Sequence, residues 1–201
     1  MRSTVKPSFR YQLEKQKPRI GSGERRAARR FTNSRRASGS QAYQCVLRPG
    51  VQYIASVKEF PISTSMAGSL LEIEPGAMRE LHWHPNADEW QYFIEGKAEM
   101  AVFLAEGQVV IDQFEMGDVG YAPMGAGHYI RNTGDSVLRV LVGFNSGHYR
   151  SNDLSAWLAS NPPDVLASNL GIPREIAKEL PRSPLFMVSE RDAAKRLDGA
   201  S

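Results

Sequence analysis

The feature that most constrains this chain is the placement of three of its four histidines. His82 and His84 stand two residues apart in the run from Arg79 to His84, and Glu89 follows across Pro85-Asn86-Ala87-Asp88. On a β-strand, side chains two apart share a face, so both imidazoles project one way while Trp83 projects the other. The Pro, Asn and Asp after His84 read as a turn, which makes Glu89 the opening residue of the next strand. His128 follows the Gly- and Pro-rich run from Ala122 to Gly127 and starts a later strand. Three imidazoles and a carboxylate pointed into one apolar interior suit a divalent transition metal, because a buried carboxylate without a partner is costly. His148, after Ser146-Gly147, falls in a loop outside this set.

Short apolar segments of strand length surround these residues, at 69–74, 89–94, 99–105, 108–114, 117–123, 128–133 and 137–144. Gly, Pro, Asn or Asp separates most of them, which describes an antiparallel sandwich or barrel rather than strands alternating with long helices. Seventeen Gly and twelve Pro also weigh against an all-helical fold. No apolar run reaches the roughly 18 residues of a membrane span. The N-terminal stretch carries charges and no apolar leader, which favours a cytoplasmic setting. A single cysteine, Cys45, excludes an internal disulfide framework.

Charge divides the chain. Residues 1–49 carry a net +11 and residues 50–201 a net −8. Three Arg pairs (Arg25/Arg26, Arg29/Arg30, Arg35/Arg36) lie among Gly, Ser and Asn, with Phe31 the one large apolar residue of 21–40. Such a stretch cannot repay its ordering entropy and is expected to be disordered, exposed and readily cleaved. No aromatic platform, zinc ligand set or recognition helix accompanies the arginines, so a solvated tail is expected rather than a nucleic-acid-binding arm. The organisation expected is a lead-in at 1–20, a basic insertion at 21–50, a barrel at 51–150, a helical extension at 151–190 and a frayed tail at 191–201.

The histidine pattern resembles the two motifs of the cupin superfamily. The first runs from Gly76 through five residues to His82-Trp83-His84, four more to Glu89 and six more to Gly96. The second runs from Gly117 through Pro123, Gly125 and His128 to Asn132. The resemblance implies an all-β fold: a single cupin double-stranded β-helix, or jelly-roll barrel, with short C-terminal helices. Within the superfamily, the stretches at 74–100 and 117–135 and the tail at 154–173 resemble the oxalate decarboxylases, especially the second of their two cupin domains. One domain is half of that family's usual pair. Faces that meet the neighbouring domain are left uncovered, outward residues such as Trp83 and Tyr92 among them, which implies a homo-oligomer.

The resemblance further implies a manganese ion (Mn2+, or another divalent transition metal) held by His82, His84, Glu89 and His128. It implies oxalate, or another small carboxylate, as the ligand, with conversion to formate and carbon dioxide. Arg79 matches the family arginine that stabilises bound oxalate. Out of phase with His82 on a regular strand, it must reach the site from a bend or from the barrel mouth. The family's general acids have no counterpart: the lid-like segment 145–157 contains no glutamate, and Val142 stands where the second domain has its glutamate. Asp153, His148 and Tyr149 are the remaining candidate proton donors, with Asp153 also placed to cap a helix. The readings left open are a weak decarboxylase, an oxidase-like or other small-acid enzyme, and a catalytically silent metal-binding or structural cupin.

Overall fold

A computed structural model describes residues 11–12, 43–47, 49–181 and 185–189. Its strands, in chain order, are β1 (Tyr11–Gln12), β2 (Tyr43–Leu47), β3 (Gly50–Ala55), β4 (Ala67–Ile73), β5 (Ala77–Trp83), β6 (Glu89–Glu95) and β7 (Lys97–Phe103). They continue with β8 (Val109–Glu115), β9 (Asp118–Ala122), β10 (Gly127–Asn132), β11 (Leu138–Phe144), β12 (Asn152–Asp153) and β13 (Met187–Ser189). Two antiparallel sheets face each other, one in the order β1-β9-β6-β11-β4-β3-β2 and the other β12-β5-β10-β7-β8. Strand β13 pairs with the remaining part of the β5 edge. This is the jelly roll expected from the sequence.

Alternation explains which face each strand buries. On β11, Leu138, Val140, Val142 and Phe144 are buried while Arg139 and Leu141 face solvent. On β6, Glu89, Gln91 and Phe93 point inward. Phe93 and Phe114 stack with ring centroids 4.7 Å apart, between Ile73, Met100, Ile130 and Leu138. Each such side chain contributes about 1.5–3 kcal/mol of burial. Trp90 and Ile94 do not enter the core. They lie on the outer face, 45% and 39% exposed, because the inward phase of β6 is taken by Glu89 and its two-apart neighbours.

The barrel reaches further back than Val51. Strand β2 lies within the segment assigned to the basic insertion and pairs with β3 along its whole length, and the lead-in pairs through β1 with β9. The segments 21–40 and 191–201 lie outside the described residues. No helix among the described residues is long and apolar enough to cross a membrane.

Three short helices follow the barrel: α1 (Leu154–Ala159), α2 (Pro163–Leu170) and α3 (Arg174–Glu179). The four-apart apolar pairs Leu166/Leu170 and Ile176/Leu180 do not form shared buried faces. Leu166 and Ala177 are buried, whereas Leu170 and Ile176 are about half exposed. Leu170 is the last residue of α2, and the left-handed Gly171 turns the chain away there.

The link between β6 and β7 depends on Gly96, whose φ is +91° and whose Cα lies against β11. A Cβ there would sit 2.9 Å from Leu138 Cα. Gly107, at φ +71°, has nothing within 4 Å of such a Cβ. Gly96→Ala should therefore cost roughly 3 kcal/mol or more and Gly107→Ala about 1 kcal/mol, read by denaturant unfolding. Equal losses would contradict this account of the turn.

Candidate metal centre

Each sheet supplies part of the site. His82 and His128 are register partners on β5 and β10 of one sheet, with ring centroids 4.2 Å apart. Glu89 opens β6 in the other sheet, and His84 sits in the connection between them. The second motif is tied to the first by Gly125, whose N–H donates to the His84 carbonyl at 2.9 Å. Asn132 ties a turn: its amide donates to the carbonyls of Ile73 and Ser136, both at 2.8 Å, and its oxygen accepts from Gly134 N–H.

The ligand atoms of His82, His84, Glu89 and His128 all lie within 4.8 Å of one another, and all four residues are buried. Their hydrogen bonds show what this pocket requires. Each Nδ1 faces a backbone carbonyl: His82 to Glu80 at 2.7 Å, His84 to Arg150 at 2.6 Å and His128 to Ala126 at 3.0 Å. A carbonyl only accepts, so each Nδ1 carries a hydrogen and each ring turns its Nε2 inward, as a bare lone pair whenever the ring is neutral. Those of His84 and His128 stand 2.7 and 3.2 Å from Glu89 Oε2. Converging acceptors at such distances repel unless a cation or a proton lies among them. Burial, then the Arg79 guanidinium, hold His82 well below the ordinary imidazole range. Burial opposes the Glu89 charge, yet positive charge and hydrogen bonds at the His128 and His84 Nε2 positions, where a metal would sit, hold its carboxyl well below the usual carboxylate range. A carboxylate and neutral imidazoles are the donor set a divalent transition metal takes, so the residues fit such an ion.

Gln91 completes the arrangement by donating to Glu89 Oε1 at 2.7 Å, which leaves Oε2 to the histidines. Polar residues at inward strand positions carried this signal in the sequence, and Gln52 and Ser69, bonded at 2.8 Å, are a second case.

Arg79 enters the interior through a bulge. Opposite two residues of β10, His128 and Ile130, β5 runs from His82 to Arg79, one residue longer. The extra residue reverses the phase, so Arg79 and His82 both point inward and Leu81 turns out. A bend is one of the two routes that the sequence leaves open for Arg79. Arg79 is 2% exposed and ion-pairs with Asp153, while its Nη2 also donates to Ser151 Oγ at 2.9 Å. Asp153 precedes α1, but its side chain makes no capping bond there.

Tyr149 also faces the site, its ring centroid 5.5 Å from that of His84 and its hydroxyl 3.4 Å from Gln52 Oε1. Burial raises its phenol, and the charges of Glu89 and Asp153 add to this against the opposing pull of Arg79. His148 is not brought in. Its side chain is exposed, because Asn86 holds its carbonyl at 2.8 Å and Gly147 is wedged against the Thr64 carbonyl. Val142 is buried on β11 opposite Ser69 and Gln91.

A family model described as cupin matches residues 48–178. The chain belongs to the cupin family. This cupin is 43% identical over 142 residues to the oxalate decarboxylase OxdC of Bacillus subtilis, which covers 71% of this chain and 37% of that protein. It is 36% identical over 141 residues to a probable oxalate decarboxylase of Arthroderma benhamiae, covering 70% of this chain and 35% of that one. It is also 29% identical over 113 residues to a germin-like protein of Arabidopsis thaliana, covering 55% and 52%. A solved structure of the B. subtilis oxalate decarboxylase, in work on its Mn(II) centres, superposes with a TM-score of 0.72 at 38% identity. The match covers 75% of this chain and 40% of that one. The cupin thus spans about two fifths of these decarboxylases.

Roughly one divalent ion per chain is expected in the purified protein, and His82→Ala should lose most of it. Groups that only hydrogen-bond to metal ligands are worth about 10–100-fold in affinity, and a ligand itself more. Elemental analysis of the two proteins checks this; unchanged metal in the variant would refute the assignment.

Proposed function

We propose that this cupin is a manganese-dependent, oxalate-acting protein whose decarboxylation is slow. In this reading His82, His84, Glu89 and His128 hold the ion, which when bound supplies a Lewis-acidic, redox-capable centre beside the substrate. Arg79 receives a carboxylate, its fixed charge and planar donors matching a small dianion. The observation that carries the reading is the juxtaposition of the buried ligand set with a buried arginine on the same inward face of β5. The similarity to oxalate decarboxylases supports oxalate over other small acids.

Cleavage of the carbon–carbon bond releases carbon dioxide and leaves a carbon that must take up a proton. Val142 cannot supply one, and Asp153 is engaged with Arg79 and Ser151. Tyr149 faces the centre but holds its proton tightly. Positioned acids are worth about 10²–10⁴-fold, so turnover falls by that order where none is well matched. An oxidase-like reaction, or binding without turnover, is the alternative that the same vacancy favours.

Arg79→Ala should retain manganese and bind oxalate about 30-fold more weakly or worse. Formate, carbon dioxide and peroxide released by manganese-loaded protein at acidic and neutral pH separate the reactions. Formate at about 10 s⁻¹ or faster would overturn slow decarboxylation. Absence of both oxalate binding and product would leave a silent metal-binding cupin.

We also propose a homo-oligomer. Tyr53, Leu70, Leu141 and Tyr92 are successive register partners across the seven-stranded sheet, and Leu141, Trp90 and Ile94 of its outer face are exposed. Such an apolar row is suited to burial against a second copy. Sedimentation should show an assembly that Leu141→Arg weakens; a monomer at all concentrations would exclude it.

A further inference from the structure

The C-terminal segment Leu185–Ser189 comes back across the barrel to touch Arg79. Strand β13 runs antiparallel to β5, with Met187 opposite Arg79. The residue before it, Phe186, directs every group it has at Arg79 and its neighbour. Its carbonyl accepts from Arg79 Nη1 at 3.1 Å and from Glu80 N–H at 3.0 Å, and its own N–H donates to Glu80 Oε1 at 2.5 Å. Its ring lies flat against the site, with the guanidinium carbon 3.8 Å from the ring centroid.

The backbone of Phe186 does not favour that side chain. Its φ is +61°, a region that glycine and asparagine enter readily and a bulky residue does not. Polar anchorage of the tail is already provided by backbone bonds and by Glu80, which also accepts from Ser155 N–H and Oγ at 3.1 and 2.9 Å. Glycine would keep all of those bonds without strain. What glycine would lose is the ring beneath the guanidinium. That arginine in turn has a buried donor, Nε, with no hydrogen-bond partner. Buried donors are nearly always satisfied, so this one has capacity for a further acceptor.

We infer that Phe186 is a positioning residue for the anion site: its ring and carbonyl fix the plane of Arg79 so that the unpaired Nε meets a substrate carboxylate. The inference rests on the reading that Arg79 receives that carboxylate. It makes a segment more than 100 residues from Arg79 in sequence part of the site (Phe186 and Arg79 are 107 apart). A desolvated cation–π contact of this geometry is worth about tenfold in a binding constant.

The test uses the full chain loaded with manganese and three variants: Phe186→Leu, Phe186→Gly and Phe186→Tyr. Bound metal and melting temperature report the fold, and the oxalate-induced change in the Mn(II) electron paramagnetic resonance spectrum reports binding. The expected result is that all three keep the metal. The Leu and Gly variants should need about ten times more oxalate to give the same spectral change, and the Tyr variant, which keeps an aromatic face, should behave like the unaltered chain. Should Phe186→Leu fail to fold, Phe186→Gly, compatible with the positive φ, makes the comparison. Folded, metal-loaded Leu and Gly variants that bind oxalate as the unaltered chain does would overturn the inference. A spectrum of the unaltered chain that does not respond to oxalate, or an Arg79→Ala variant that responds normally, would instead overturn the substrate reading. In that case phenylglyoxal labelling decides the positioning role alone: Arg79 should be protected in the unaltered chain and the Tyr variant and labelled in the Gly variant, and equal labelling would refute it.

Discussion

Four lone-pair-bearing groups are buried in contact at the centre of this barrel, and the surrounding structure serves to hold them there. A carbonyl on each Nδ1 fixes the tautomer of each ring and removes its freedom to rotate away. Gln91 takes one oxygen of Glu89 and so fixes which oxygen faces the rings. Because these constraints come from carbonyls of both motifs and of Arg150, and from the neighbouring Gln91, the charge demand of the site is built into the fold itself. A cation relieves it, and the two sheets supply the donors from opposite sides.

Much of this was legible in the sequence. Period-two patterning located the strands, and the spacing from Gly76 to Glu89 placed His82, His84 and Glu89 on one cavity before any coordinates. Asn132 and the motif glycines followed from the same pattern. The bulge in β5 was legible only as a conflict: Arg79 was out of phase with His82 and had to reach inward somehow. Register between strands, which decides where the extra residue sits, depends on β10 and is not written in β5 alone.

Other parts were not legible, for identifiable reasons. His148 is of a residue type suited to proton transfer and lies near Tyr149 and Asp153 in sequence, yet the Asn86 amide and the tight packing of Gly147 set the loop so that its ring faces solvent. Leu170 satisfies a helical spacing rule but falls at a helix end, where spacing no longer fixes direction. Phe186 lies in a stretch without periodicity. Its neighbours are Arg79 and Glu80, and no local rule connects residues so far apart.

The edge of β5 opposite β10 is shared by two short strands, β12 at its His82 end and β13 at its Ala77 end. Both come from the last third of the chain. During synthesis, all four candidate metal ligands have therefore left the ribosome once residue 128 has emerged, while the strand bearing His82 still has an open edge. An open edge is a template for pairing with other chains, and N-terminal parts fold first. An ion captured by the half-made barrel would hold β5 against β10 during that interval. The anion site would follow later, when the tail reaches back to close the same edge.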